Sequence, residues 1–392
     1  MEGRSVDMTR SCPSPAPAES VMDLDSARGP PITINELVQL SHIGIPNDQV
    51  TWSRVTMTSD KWIAVRHDNR TDLSARRAVV TVLSPIEGTI SYAGSTSADS
   101  VLMNPSQALI ALKAGLRFEV FNLESKELVN KVKFHDIVVH WTWLTTDVLA
   151  MVTDAAVYHW NVNTRKCSLP PQQVFVRHHR LAFTEIVSYK ADPTLNWLAL
   201  TGLTPEDNRI SGVTQLYNRG ENLTQCINAH ACCFSSYHFP GNPWPSTVFC
   251  VSSREVQDHG KVHVIELGPY KTGNFALRSS YDHLHFLDDL ERYDFPIAVE
   301  VSVDYGLLFV VTKYGYLYIC DMETAMCLCC TRVAVDVTFS AVLNTNTQGL
   351  LAITRGGQVI TVDIKKDGFI SYLREQVRTA YRANKFEKMI CQ

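Results

Sequence analysis

One phrase recurs seven times between Trp62 and Ile364: an apolar run, a short turn, then a second apolar run ending in a polar turn. The copies open with WIAVRH at Trp62, ALIALKAGLRFEVFNLES at Ala108, VLAMVTDAAVYHWNVN at Val148 and WLALTG…GVTQLYNRG at Trp197. They continue with TVFCVSS…KVHVIELG at Thr247, LLFVVTKYGYLYICDMET at Leu307 and LLAITRGGQVITVDIKKD at Leu350. Successive starts lie roughly 40–60 residues apart, the period of four-stranded blades rather than of helical repeats. Most hairpins carry an apolar segment ahead of them, such as VTWSRVTM at Val50, DIVVHWTWL at Asp136, FTEIVSY at Phe183 and FPIAVEVSV at Phe295. A strand-like piece follows, as in ELVNKVKF at Glu127 and NLTQCINAH at Asn222, which makes four strands per unit.

The hairpins turn at DA, KYG and GG, polar or glycine-containing joints that reverse a chain at little steric cost. A single blade cannot bury both faces of its sheet. Seven arranged radially can, and closure removes the exposed terminal edges. The expected fold is therefore all-β: a seven-bladed β-propeller of four-stranded blades over residues 31–368, its last blade completed by ITINELVQL from Ile32. Residues 1–30 are rich in Ser, Pro, Ala and Asp without periodicity and read as a disordered arm. Residues 369–392 change character: Leu373, Val377 and Tyr381 recur at helical spacing among charges, which predicts a helical linker leaving the propeller.

Composition excludes some functions. Apolar residues make up 45% and charged residues 19%, ample for a buried core. A formal net charge of −4 supplies no global basic field for nucleic acid or an anionic membrane. No stretch reaches the ~18–20 apolar residues that cross a bilayer, and the N-terminus has no apolar signal region, so a cytoplasmic chain is expected. The eleven cysteines then read as reduced thiols. Cys320, Cys327, Cys329 and Cys330 lack the spacing of paired zinc knuckles and read as small buried hydrophobes. No metal or cofactor is expected. His135-Asp136 and His178-His179 have no nucleophile or ligand set at suggestive spacing, and no Walker-type phosphate loop is present, so the chain reads as a non-enzyme.

Several stretches, in order, resemble the terminal domain of the clathrin heavy chain. They are GIP…VTWSRVTMTSDKWIAVR from Gly44 to Arg66, Ala98-Asp99-Ser100 with NPSQALIALKAG at Asn104, and VTDAAVYHW at Val152. WLALTGLTPEDNRISGVTQLY at Trp197, DFPIAVEVS at Asp294 and TKYGYLYICDMETAMC at Thr312 continue the series. The resemblance runs from about Ile34 to the end and leaves the arm uncovered. It implies a non-enzymatic scaffold of vesicle coats that recruits adaptor proteins through short linear motifs. In the family, trimeric triskelions form with light chains through regions beyond this segment, and the membrane is met only through adaptors. The rival reading is a propeller from a different vesicle coat or tethering complex.

The resemblance also implies four peptide sites. The first lies between the first two blades and takes an extended peptide of alternating apolar residues ending in acid. Ile110, Leu112 and Phe121 match its apolar floor and Lys126 its basic rim, although Ile110 and Leu112 read equally as blade core. Arg117 stands where the family has Thr, Glu119 where it has Gln, Leu128 where it has a second Lys, and Gly94 near a usual Arg. A trough with a rearranged rim should bind this class of motif with altered preference, tolerating less acidic ends. The second site, a top-centre pocket for tryptophan-containing motifs, is matched by Trp52, Glu185, Val187 and Leu203, with Trp52 for Phe and Glu185 for Gln. The third, between the fourth and fifth blades, is matched by Trp197, Leu216, Leu223 and Gln225, with Glu221 reversing the charge of the usual Arg. Glu36 and Gln39 match a fourth site on the first strand.

Val21-Met22-Asp23-Leu24-Asp25 in the arm has the alternating apolar-then-acid form of these ligands. An arm that docks in cis competes with any free peptide. Deleting residues 1–30 tests this in a fluorescence polarisation titration: tighter adaptor-peptide affinity marks an internal ligand, and an unchanged affinity rules it out.

Overall fold

The computed structural model describes residues 31–68, 78–163, 169–206, 209–255, 259–275, 278–285 and 293–390; the arm with Val21–Asp25 lies outside them. Seven four-stranded antiparallel sheets form the blades of a propeller. Blades 1 to 6 occupy residues 55–96, 100–133, 140–176, 185–228, 231–285 and 296–332. Blades 1 to 6 each begin at their inner strand and end at their outer one, and the inner strands of blades 1 and 2 and of blades 3 to 7 touch in succession around the axis. Blade 7 takes three strands from the C-terminal side, Thr338–Leu343, Leu350–Thr354 and Gln358–Ile364, and its outer strand, Ile32–Gln39, from the start of the domain. That strand runs antiparallel to Gln358–Ile364, with Ile32 opposite Ile364 and Gln39 opposite Gln358. The first strand thus closes the ring, as the sequence predicted. Buried Asp60 of blade 1 adds a clasp, accepting from the Thr345 backbone N–H at 2.8 Å and its hydroxyl at 2.5 Å across the joint with blade 7.

Alternation places one set of side chains toward each neighbouring blade. Between blades 1 and 2, Ala64, Val80 and Val82 meet Val101, Met103 and Ile110. Between blades 7 and 1, Leu351, Ile353 and Val359 meet Leu40, Val55, Ile63 and Leu83. The core is therefore a ring of apolar seams rather than one central mass.

The turns between third and outer strands share one device. Asn122 accepts from the backbone N–H groups of Glu124 and Ser125 at 2.8 and 3.0 Å, and Asp321 from those of Glu323 and Thr324 at 2.9 and 2.8 Å. Asn218 likewise accepts from Glu221 N–H at 3.1 Å. Four residues after each acceptor the chain turns left-handed, at Lys126 (φ 58°), Asn222 (φ 53°) and Ala325 (φ 60°). The KYG turn of blade 6 needs its glycine: Gly315 has φ 79°, and a Cβ there would lie 2.3 Å from the Ala334 carbonyl oxygen.

The structure corrects three expectations. The inner strand of blade 1, expected over Val50–Met57, is only Val55–Thr56, because the Thr51 carbonyl takes the N–H groups of Arg54 and Val55 and holds that segment in a turn. The single helix through Leu373, Val377 and Tyr381 is two helices, α1 (Lys366–Glu375) and α2 (Ala380–Ile390), broken at Arg378 (φ 55°). The reversal lets Phe369, Leu373, Ala383 and Phe386 bury against blades 6 and 7, and leaves Tyr381 exposed. Arg382 pairs with Asp321, and Lys385 with Glu323 at 2.5 Å, fastening α2 beneath blade 6. Cys320 and Cys329 are buried and Cys327 half-buried, but Cys330 is exposed, because strand alternation turns it to the face opposite Cys329 on the outer strand of its blade.

His230, in the link between blades 4 and 5, is buried and makes two bonds that fix its tautomer. Its Nδ1 accepts from Arg254 N–H at 3.2 Å, and its Nε2–H donates to the Ile210 carbonyl at 2.8 Å. Burial lowers its pKa from 6.5 to about 4. The unfolded chain therefore binds the extra proton first, and stability present at neutral pH is lost as pH falls from 6.5 toward 4. Urea unfolding is expected to weaken from pH 7 to pH 5, with about 2 kcal/mol of the loss due to this site. His230→Gln, which does not titrate, should remove that part of the slope.

Candidate functional site

Cross-strand partners in a sheet share a face. On blade 2 the face toward blade 1 follows from the pairs Met103–Ile110, Ile110–Phe121 and Leu112–Glu119, with Ala114 opposite Arg117. The outer strand extends this face with Leu128 opposite Phe121, Lys131 opposite Glu119 and Lys133 opposite Arg117. Ile110 is buried, while Leu112 and Phe121 are half-buried and form the accessible floor. Half-buried Trp62 and Leu123 pack into the same cluster.

Blade 1 supplies the opposite bank. Tyr92 pairs with Val82 and Gly94 with Val80, so both point toward this seam. A Cβ on Gly94 would lie 2.3 Å from the Tyr92 hydroxyl, so the phenol ring lies across the space that a side chain at position 94 would fill. Tyr92 carries no signal in the sequence; only the strand register puts it there.

Register also changes the charge. Arg117, Lys131 and Lys133 are exposed on one face around a single half-buried carboxylate, Glu119. The cation missing at Leu128 is matched by Lys131 and Lys133 farther along the same strand. Exposed Lys126 lies at the opposite end of the trough, presented by its left-handed turn.

The seam between blades 4 and 5 contains a cleft of about 310 Å³. Trp197, Leu216, Glu221 and Gln225 line it from blade 4. Phe249, Ile265, Leu267 and Tyr270 line it from blade 5, a wall that the sequence alone did not indicate. The Trp197 indole N–H donates to the Gly268 carbonyl and ties the two blades together at the mouth. Leu223, the remaining residue expected here, is 60% exposed beside the cleft rather than in its wall. Glu221 sits on a turn held by its own N–H to Asn218 and by Gly220 N–H to Asn196 at 2.9 Å.

The chain is 32% identical over 342 residues to human clathrin heavy chain 2, covering 87% of this chain and 20% of that protein. It is 34% identical over 348 residues to the probable clathrin heavy chain 1 of Caenorhabditis elegans, and 34% over 343 residues to the probable clathrin heavy chain of Schizosaccharomyces pombe. These matches cover 89% and 88% of this chain. The chain is a clathrin heavy chain homologue. It spans 20% of the length of these relatives, consistent with their N-terminal domain. No family model matches it. A chain from the crystal structure of the mitotic checkpoint complex superposes with a TM-score of 0.54 at 13% identity, covering 88% of this chain and 99% of that one, and bears on the fold alone.

The residues expected at the other two sites are placed less compactly. Glu185 stands opposite Leu203 on blade 4, and Val187 is the extra residue of a bulge on the same inner strand. Trp52 lies on the link into blade 1, on a different part of the ring. Nearby links between blades expose Ile137 (70%), Phe183 (92%) and Val335 (78%), apolar side chains that the sequence pattern assigned to strands or left unremarked. On the first strand, Glu36 accepts from the Gln358 side chain at 2.9 Å, and Gln39 donates to the Gly356 carbonyl at 2.7 Å. Both bonds fasten the closing strand to its neighbour. His178 caps a short turn by accepting from Arg180 N–H, and His135 packs on Phe134 and Tyr158.

Tyr92 forms the blade 1 bank of the candidate trough at the blade 1–2 seam. Tyr92→Ala is expected to weaken an acidic-apolar peptide about tenfold in fluorescence polarisation, the scale of a lost aromatic contact. Its effect on the urea midpoint should be small, because the ring is 37% exposed.

Proposed function

We propose that this propeller is the motif-reading module of a vesicle-coat scaffold of the clathrin type. It recruits adaptor proteins by binding short extended peptides in the seams between its blades. In the whole protein, leg regions outside this segment form triskelions with light chains. The module then works at the cytoplasmic face of coated pits and vesicles, and reaches the membrane only through adaptors.

One observation carries this reading: an apolar trough between Tyr92 and the Leu112–Phe121 floor, with Arg117, Lys131 and Lys133 gathered at one end. An extended peptide directs alternate side chains to one surface, so apolar residues at every second position fit the floor. A terminal acid meets the cations. These supply what Leu128 and Gly94 lack, so we infer that the groove keeps its preference for acidic ends instead of relaxing it.

A short disordered segment loses ordering entropy on docking, which holds each contact to about tens to hundreds of micromolar. Several weak seams engaged by one multivalent partner then add through effective concentration. This suits a coat that assembles and disassembles.

The test is a labelled peptide with the sequence of residues 18–28, titrated by fluorescence polarisation into a chain lacking residues 1–30. Combined Lys131→Glu and Lys133→Glu should weaken it about tenfold or more, since each reversal replaces an attraction with a repulsion of similar size. Lys126→Glu should have a smaller effect, and added salt should weaken the parent complex. Unchanged affinity in the Lys131/Lys133 variant would refute the assignment.

A further inference from the structure

The cleft between blades 4 and 5 has the wrong charge for the ligand that suits the first seam. We infer that it selects an apolar peptide carrying a cationic side chain, arginine or lysine. This deepens the motif-binding function proposed above and rests on it.

Three features of the cleft converge. First, its volume of about 310 Å³ admits one or two side chains rather than a folded surface. Second, two aromatic side chains, Trp197 and Tyr270, line it from opposite blades, with Leu216, Ile265 and Leu267 between them. Aromatic faces attract cations through the ring quadrupole, and they also cover the aliphatic stem of an Arg or Lys. Third, the blade 4 side of its rim carries an exposed carboxylate, while the exposed cation Arg278, paired with Ile265 on the outer strand, stands on the opposite, blade 5 bank. Glu221 is exposed at the mouth, and among the described residues its carboxylate makes no hydrogen bond or ion pair. Glu266 lies buried in the facing wall with a partner of its own, and adds no positive charge. Arg219, on the same turn, acts electrostatically on His159 and Tyr189 at the blade 3 side.

The Glu221 turn is held in place by Asn196 and Asn218, so the carboxylate is presented at a defined position rather than on a loose loop. The Trp197 indole N–H is committed to the Gly268 carbonyl, which leaves the ring faces, not the N–H, for a guest. A peptide ending in acid would meet Glu221 directly and be repelled. The two seams therefore sort ligands by sign: acidic-apolar between blades 1 and 2, basic-apolar between blades 4 and 5. A partner bearing both kinds of segment would engage both seams at once.

The experiment uses three capped peptides, Ala-Leu-Leu-Arg-Leu-Ala and its Gln and Glu counterparts at the Arg position, titrated into the 392-residue chain. The readout is the indole N–H resonance of Trp197, identified by its loss in Trp197→Phe. The Arg peptide is expected to shift this resonance and bind about fivefold tighter than the Gln peptide, the scale of one exposed ion pair. The Glu peptide should bind weakest. Glu221→Arg, at an exposed turn position, should invert the order of the Arg and Glu peptides. Tyr270→Ala should bring the Arg peptide toward the Gln value. Arg and Gln affinities within twofold of each other, or an order unchanged in Glu221→Arg, overturn the inference. The acidic peptide of residues 18–28 is run in parallel on the chain lacking residues 1–30, so that the arm cannot compete. If it binds while the Arg preference is missing, only this inference falls; if neither binds, the motif-reading function falls with it.

Discussion

Closure of the ring is the constraint on which everything else depends. Ile32–Gln39 must leave its own neighbours in sequence and pair with Gln358–Ile364, more than three hundred residues away along the chain. Without it, blade 7 would end in an unpaired edge, and the apolar faces of blades 7 and 1 would lose their cover. Asp60 and Thr345 clasp the same joint, while Glu36 and Gln39 bind the closing strand to its partner. These contacts connect the two ends of the domain, so the last blade cannot be completed until both are present. The helical hairpin of α1 and α2, pinned beneath blade 6 by Arg382 and Lys385, fastens the exit of the chain to the same body.

A closed ring fixes what the seams can be. Each is apolar inside, because two sheet faces bury one another there. Toward the outside the faces diverge, and the same alternation that fills the seam leaves half-buried residues such as Leu112, Phe121 and Trp197 within reach of a guest. Binding surface is thus a by-product of blade packing and needs no separate element. Charge at the seam mouths then differentiates chemically similar troughs. Arg117, Lys131 and Lys133 make one end cationic, and Glu221 makes another anionic, with the scaffold unchanged.

Much of the fold could be read from the chain. The recurring hairpins gave blade number and strand count, and the isolated ITINELVQL segment, alternating but lacking a hairpin partner, pointed to its role at the closure. Local geometry was less accessible. The short inner strand of blade 1 depends on a turn that competes with the sheet for the Thr51 carbonyl. The break between α1 and α2 depends on a second apolar face, through Ala383 and Phe386, meeting blades 6 and 7. Helical periodicity can register an apolar stripe, but it cannot say whether the stripe continues or folds back.

The sequence by itself determined the repeat and the all-β class, because strand alternation and turn chemistry are local properties; the residues of blade 2 and blade 4 expected at the candidate grooves came from the resemblance to the clathrin heavy chain. Tertiary structure decided who faces them. Tyr92 across Gly94, Lys131 and Lys133 beside Glu119, and the Ile265–Tyr270 wall opposite Trp197 all depend on strand register and on which blade lies next to which. A one-residue change of register would turn each of these side chains to the other face, so no count of charges along the chain could have placed them.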